Sequence, residues 1–203
     1  VSDEHLVDDE CNSRLGDEHL IDDESTRKKS LTRHIVETVI LIALAFLLAQ
    51  VIRFALIEPY LVPTGSMIPS IEINDRVLAN KLVFLTGREP QHNDIVVFDD
   101  PTNEFPQLIK RVIAVAGDTV DLREGMVYLN GELLDEPYVH DKPTYPLNGV
   151  ELPFTVPADA VFVLGDNRTN SADSRYFGPI PTDEVRGRAF WTYWPLARFG
   201  SLE

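Results

Sequence analysis

Leu108-Ile109-Lys110-Arg111-Val112-Ile113-Ala114-Val115-Ala116-Gly117 is the stretch that decides the fold class. Side chains alternate across a strand, so Lys110 shares a face with Leu108, Val112 and Ala114. The other face is apolar as well, apart from Arg111. A run apolar on both faces reads as a strand covered on both sides, and such a strand needs partners. They are found outward in both directions. Pro and Gly punctuate short β-rich runs that predict strands over residues 76–80, 94–98, 119–122, 126–129, 161–164 and 186–194, beside 108–115 itself. Asn130-Gly131 between 127–129 and 132–134 is a tight-hairpin signal. The Pro-rich residues 135–158 read as a long surface loop, and no long helical pattern lies beyond residue 59. The expected fold class is mostly β, an all-β domain of coiled sheets or a partly open barrel.

Upstream the texture changes. Residues 35–57 are apolar except for Glu37 near the start and Arg53 near the end. The uncharged stretch 38–52 is shorter than the roughly 18–20 residues of an ordinary span. A helix over all of 35–57 would cover about 34 Å at about 1.5 Å per residue, with Glu37 and Arg53 reaching the interfaces. Pro59 ends the helix at or before Glu58. The segment is predicted as a single transmembrane helix over 35–58. Arg27, Lys28, Lys29 and Arg33 precede it in a stretch without acids, which puts the N-terminus in the cytoplasm and residues 59–203 outside. Residues 2–10 (SDEHLVDDE) recur nearly unchanged at 16–24 (GDEHLIDDE), and residues 1–24 hold ten acids against one Arg. So acidic a repeat cannot bury a core, and residues 1–34 read as a disordered leader with a basic flank.

At 203 residues the chain can build one good hydrophobic core. Its net charge of −15 argues against a nucleic-acid partner. Cys11 is its one cysteine, so no intrachain disulfide or cysteine-based metal site can form.

Three blocks carry potential chemistry. In Pro63-Thr64-Gly65-Ser66-Met67-Ile68-Pro69-Ser70 a serine sits in a turn beside Gly65, which lets a substrate backbone come close; alone, the block reads equally as a plain loop. A lysine buried on a two-sided apolar strand loses hydration, its pKa falls, and a neutral amine can take a proton from a serine; alone, Lys110 also reads as a strand-end lysine reaching water. The block from Gly165 to Gly178, GDNRTNSADSRYFG, is dense in Asp, Asn, Arg and Ser. It suits a hydrogen-bonded turn network, a device that orients a catalytic group, or both. Histidine chemistry fits poorly. His5, His19 and His34 lie before the anchor, on the wrong side of the membrane, His92 and His140 share the outer domain but sit in no motif, and there is no His-Glu-X-X-His zinc pattern.

Together, Ser66-Met67-Ile68-Pro69, the block from Lys110 to Ala114 with Gly117-Asp118, and the block from Gly165 to Gly178 resemble the three hallmark boxes of type I signal peptidases, in the family's order and behind its anchor. The match runs from about residue 35 to the end. The resemblance implies the signal-peptidase or LexA-like β fold and a membrane-bound serine endopeptidase without cofactor or metal. It would remove signal peptides from secreted preproteins after small residues of the Ala-X-Ala type, at the plasma membrane. It further implies Ser66 as nucleophile, Lys110 as general base, Ser171 orienting the lysine, Thr64 with the Ser66 N–H as oxyanion hole, and Met67 in a substrate pocket. Arg111 with Asp166 and Asp173 with Arg175 would be salt bridges bracing the site. Ser70, Asn74 and Thr169 depart from common family choices, none at a catalytic position. A catalytically silent β domain that binds an extended peptide is the competing class, disfavoured because both Ser66 and Lys110 are present. A self-cleaving repressor-type protease would need a DNA-binding head, the opposite of an acidic leader and an anchor.

Overall fold

The computed structural model describes residues 33–50 and 56–202. The acidic repeat, Cys11, the basic residues 27–29 and the expectation of a disordered leader lie outside the described residues. Two units are described separately.

The first holds helix α1, Arg33–Gln50. It is apolar all round, with Ile35, Val39, Leu41, Ile42, Leu44, Phe46 and Leu48 all exposed. Such a helix has no polar face for water. Among the described residues it is the one helix long and apolar enough to cross a membrane. Polar atoms at its start are satisfied locally: Arg33 Nε reaches Glu37 Oε1 at 2.8 Å, and the Thr38 hydroxyl donates to the His34 carbonyl at 2.8 Å.

The second unit carries β1 (Ile57–Leu61), β2 (Arg76–Asn80), α2 (Leu82–Leu85), β3 (Ile95–Asp99), β4 (Gln107–Ala114), β5 (Thr119–Arg123), β6 (Met126–Leu129), β7 (Glu132–Leu133), β8 (Phe154–Thr155), β9 (Ala160–Leu164), α3 (Ser174–Phe177), β10 (Ile180–Pro181), β11 (Val185–Trp194) and β12 (Gly200–Ser201). The main sheet runs β1-β2-β11-β3-β4-β9-β10, with β12 on β11, and a smaller sheet runs β7-β6-β5-β8. Each strand foreseen from the sequence is present within a residue or so, and the Asn130-Gly131 hairpin joins β6 to β7. One boundary is corrected. Residues 57 and 58, expected at the end of the helix, lie in β1. Pro59 is accommodated there because β1 is an edge strand, opposite Leu78 of β2 only. The expected loop 135–158 also contributes the two-residue strand β8, paired with β5.

β4 is buried from Ile109 to Ala114, which is why both its faces are apolar. Ile109 packs with Val62, Met67, Ile71, Val77 and Val97. Val112 joins Val96, Phe98, Val161 and Val163. Beyond an irregularity between Val112 and Ala114 in the pairing with β9, Ile113 and Ala114 enter a third cluster with Val120, Val127 and Phe162 from the smaller sheet's side. A bulge bends its strand and re-aims side chains, so β4 serves three packing clusters.

β4 is unequally paired. β3 bonds it from Gln107 to Arg111, whereas β9 pairs with Arg111, Val112 and Ala114 only. Among the described residues, the edge of Gln107, Leu108, Ile109 and Lys110 away from β3 therefore has no strand beside it.

Candidate active site

Ser66 lies in the turn that follows β1 and is 7% exposed. The turn is pinned from both sides. Ile71 N–H donates to Met67 O at 2.9 Å. From the 165–178 block, Asn167 N–H donates to Ser66 O at 3.0 Å and Asn167 Nδ2 donates to Gly65 O at 2.8 Å. Behind the turn, Arg198 Nη2 donates to the carbonyls of Pro69 and Ser70 at 3.2 and 3.1 Å, while its Nε binds Asp75 at 2.9 Å. Met67, expected in the wall of a substrate pocket, has no exposed surface and packs in the core with Val62, Ile71 and Val77.

Lys110 enters from β4. It is 1% exposed, and its Nζ lies 2.7 Å from Ser66 Oγ and 3.1 Å from the carbonyl of Ile109. Burial pulls the ammonium down to about 8, against the opposing pull of Asp173, Asp100 and Asp166. A neutral amine keeps two N–H groups and one lone pair. With one N–H spent on Ile109 O, the lone pair is free to face Ser66.

Arg111 grips Asp166 through Nε–Oδ1 at 2.9 Å and Nη2–Oδ2 at 2.8 Å. Arg175 grips Asp173 through Nε–Oδ1 and Nη2–Oδ2, both at 2.8 Å. Such two-pronged pairs fix orientation as well as charge. Asp166 also accepts from Ser70 Oγ at 2.5 Å, and Arg111 lies over the Tyr138 ring, 4.0 Å from its centre. Asp173 Oδ2 accepts Gly165 N–H at 3.1 Å, tying the start of the block to Asp173 within it.

Ser171 is placed differently from its expected bond to the lysine. Its Oγ is buried and has no hydrogen-bond partner among the described residues, and the partners of Lys110 there are Ser66 and Ile109. Gly165 explains how near it nevertheless comes. A Cβ on Gly165 would fall 2.2 Å from Ser171 Oγ and 2.5 Å from Ser66 O, so the absence of a side chain lets the block close over the serine turn. Thr64, the expected oxyanion donor, lines a cleft of about 290 Å³ together with Tyr60, Val62, Phe105, Leu108 and Ile109. That cleft lies between the chain running from β1 toward Ser66 and the unpaired edge of β4.

Several positioning residues escaped the sequence reading. Asn167 and Gly165 lie inside a block already marked as polar and hydrogen-bonded. Arg168, inside that block too, is held by Glu136 and by Thr144 Oγ1 at 2.8 Å. Arg198 stands in a stretch with no motif, and no local signal points to it.

The family described as signal peptidase, peptidase S26, matches residues 35–194. A Synechocystis sp. protein named "Probable signal peptidase I-2" is 42% identical over 164 residues, covering 78% of this chain and 72% of its own. Signal peptidase I of Leptolyngbya laminosa is 38% identical over 176 residues, covering 83% of this chain and 84% of its own. A solved structure of a signal peptidase I from Enterococcus faecalis V583 is 35% identical with a TM-score of 0.44, and covers 50% of this chain and 97% of its own. The chain belongs to the signal peptidase family, peptidase S26, as a type I enzyme.

Proposed function

We propose that Ser66 is the nucleophile and Lys110 the general base of a signal peptidase that cuts exported preproteins after small residues of the Ala-X-Ala type. The observation that carries this is the 2.7 Å contact between Lys110 Nζ and Ser66 Oγ in a site where both residues are buried. The preprotein lies extended in the cleft, adding as a strand beside the open edge of β4, so that alternate side chains enter shallow apolar pockets. Ser66 Oγ attacks the scissile carbonyl while Lys110 takes its proton. The developing oxyanion is met by the Ser66 N–H and the Thr64 hydroxyl. Lys110 returns the proton to the leaving amine, and water then releases the acyl-enzyme. The Arg111–Asp166 and Asp173–Arg175 pairs hold these groups in place. α1 anchors the enzyme in the plasma membrane with the N-terminus in the cytoplasm and the β unit outside.

The test is turnover of a preprotein with sequencing of the new N-terminus. Ser66→Ala and Lys110→Arg should each abolish cleavage with the fold intact, because a guanidinium stays protonated and cannot act as base. Near-normal turnover by Lys110→Arg would remove lysine from the mechanism.

A further inference from the structure

Between the end of β3 at Asp99 and the start of β4 at Gln107, the chain makes a loop whose centre is a carboxylate. Asp100 is 6% exposed. Its Oδ1 accepts Thr102 N–H and the Thr102 hydroxyl, both at 2.8 Å, and its Oδ2 accepts Phe105 N–H at 2.9 Å. The Asp100 carbonyl accepts Asn103 N–H at 3.1 Å. The loop is thus folded around one side chain, and what it delivers are Phe105 and Pro106, which stand in the cleft wall just before Gln107, Leu108 and Ile109.

Asp100 plays no part in the bracing pairs. Asp166 and Asp173 each sit in a two-pronged arginine grip. No Lys, Arg or His among the described residues forms an ion pair with Asp100. Burial pushes its carboxyl up, and the N–H groups of Phe105 and Thr102 with the Thr102 hydroxyl more than reverse that push. It therefore stays ionised, and its charge is one of the three that oppose the desolvation of Lys110.

We propose that Asp100 is a positioning residue for peptide cleavage: its carboxylate closes the 100–105 loop so that Phe105 and Pro106 stand as a wall of the substrate cleft. This rests on the cleft being the peptide site. Asparagine is the diagnostic replacement. It keeps an oxygen for Thr102 but turns an NH₂ toward the Phe105 N–H, two donors face to face.

The test compares Asp100→Asn, Thr102→Val and Phe105→Ala with the parent enzyme on one preprotein, with thermal unfolding as a check on folding. Asp100→Asn should raise KM about fivefold or more, with kcat on the alkaline plateau within about twofold. The acidic limb of its pH profile should move to lower pH, because one of three charges favouring the ammonium is gone while Asp166 and Asp173 keep their arginines. Thr102→Val, which loses only the hydroxyl bond, should raise KM about twofold. A merely structural role would lower activity in proportion to folded protein and leave KM and the pH limb unchanged. If KM moves in Phe105→Ala but neither KM nor the limb moves in Asp100→Asn, Asp100 has no such role. Should Asp100→Asn fail to fold, an unchanged KM in Thr102→Val overturns the proposal instead. If Phe105→Ala also leaves KM unchanged, the cleft itself is not the peptide site.

Discussion

At the scale of single residues the decisive balance is on Lys110. Its amine must be neutral to accept a proton, and burial favours the neutral form even though three carboxylates oppose it. With the ammonium down to about 8, roughly a tenth of these amines are neutral at pH 7. The sign follows directly: kcat should rise about tenfold per pH unit below that value and level off above it. Steady-state kcat between pH 6 and 10 checks this; a flat profile from 6.5 to 9 would argue for a base other than this amine. The Ser171 hydroxyl, buried with no hydrogen-bond partner among the described residues, is a cost to the fold.

At the scale of elements, the site is a serine turn clamped between the 165–178 block and Arg198. Arg198 gathers Asp75, Glu72 and the carbonyls of Pro69 and Ser70, and the Asp75 side chain is 1% exposed. Arg198→Ala should leave that carboxylate buried without its cation and destabilise the fold by about 2 kcal/mol. It should also cut kcat several-fold by loosening the turn under Ser66, to be read from thermal unfolding and from turnover of the folded protein. This clamp marks where the sequence stopped being legible. β4 could be read because a two-sided apolar run has few other uses, and the β6–β7 hairpin because Asn-Gly has a specific turn geometry. The Ser66, Lys110 and 165–178 blocks were each ambiguous alone and informative in order. β1 was hidden because the apolar run of the helix continues into it, and hydrophobicity alone does not divide helix from strand. The grips of Arg198 on Asp75 and of Arg168 on Glu136 join residues far apart in the chain, and nothing local encodes such pairs.

At the scale of the whole molecule, the charge step from the acidic repeat through the basic residues 27–33 to an apolar helix sets an expected orientation. Protease added outside intact spheroplasts should digest the β unit and spare residues 1–34; digestion of the leader alone would reverse the topology. The buried lysine also has a consequence for folding as a reaction. Below pH 8 both the folded and the unfolded chain carry the Lys110 proton, and the folded state bears the full penalty of a buried charge, on the order of 3 kcal/mol. Between about 8 and the ordinary value of 10.5, the folded chain has lost that proton while the unfolded chain keeps it, so stability rises with pH through this window. Above it both are neutral and the penalty is gone. Lys110→Met should therefore melt higher than the parent at pH 7, with the advantage shrinking toward pH 10. Unfolding of the parent at pH 9 should draw a proton from solution, so the heat recorded by calorimetry will shift with the ionisation enthalpy of the buffer. Folding at that pH thus expels the proton of Lys110, and the heat of the buffer that accepts it gives a way to count it without any substrate present.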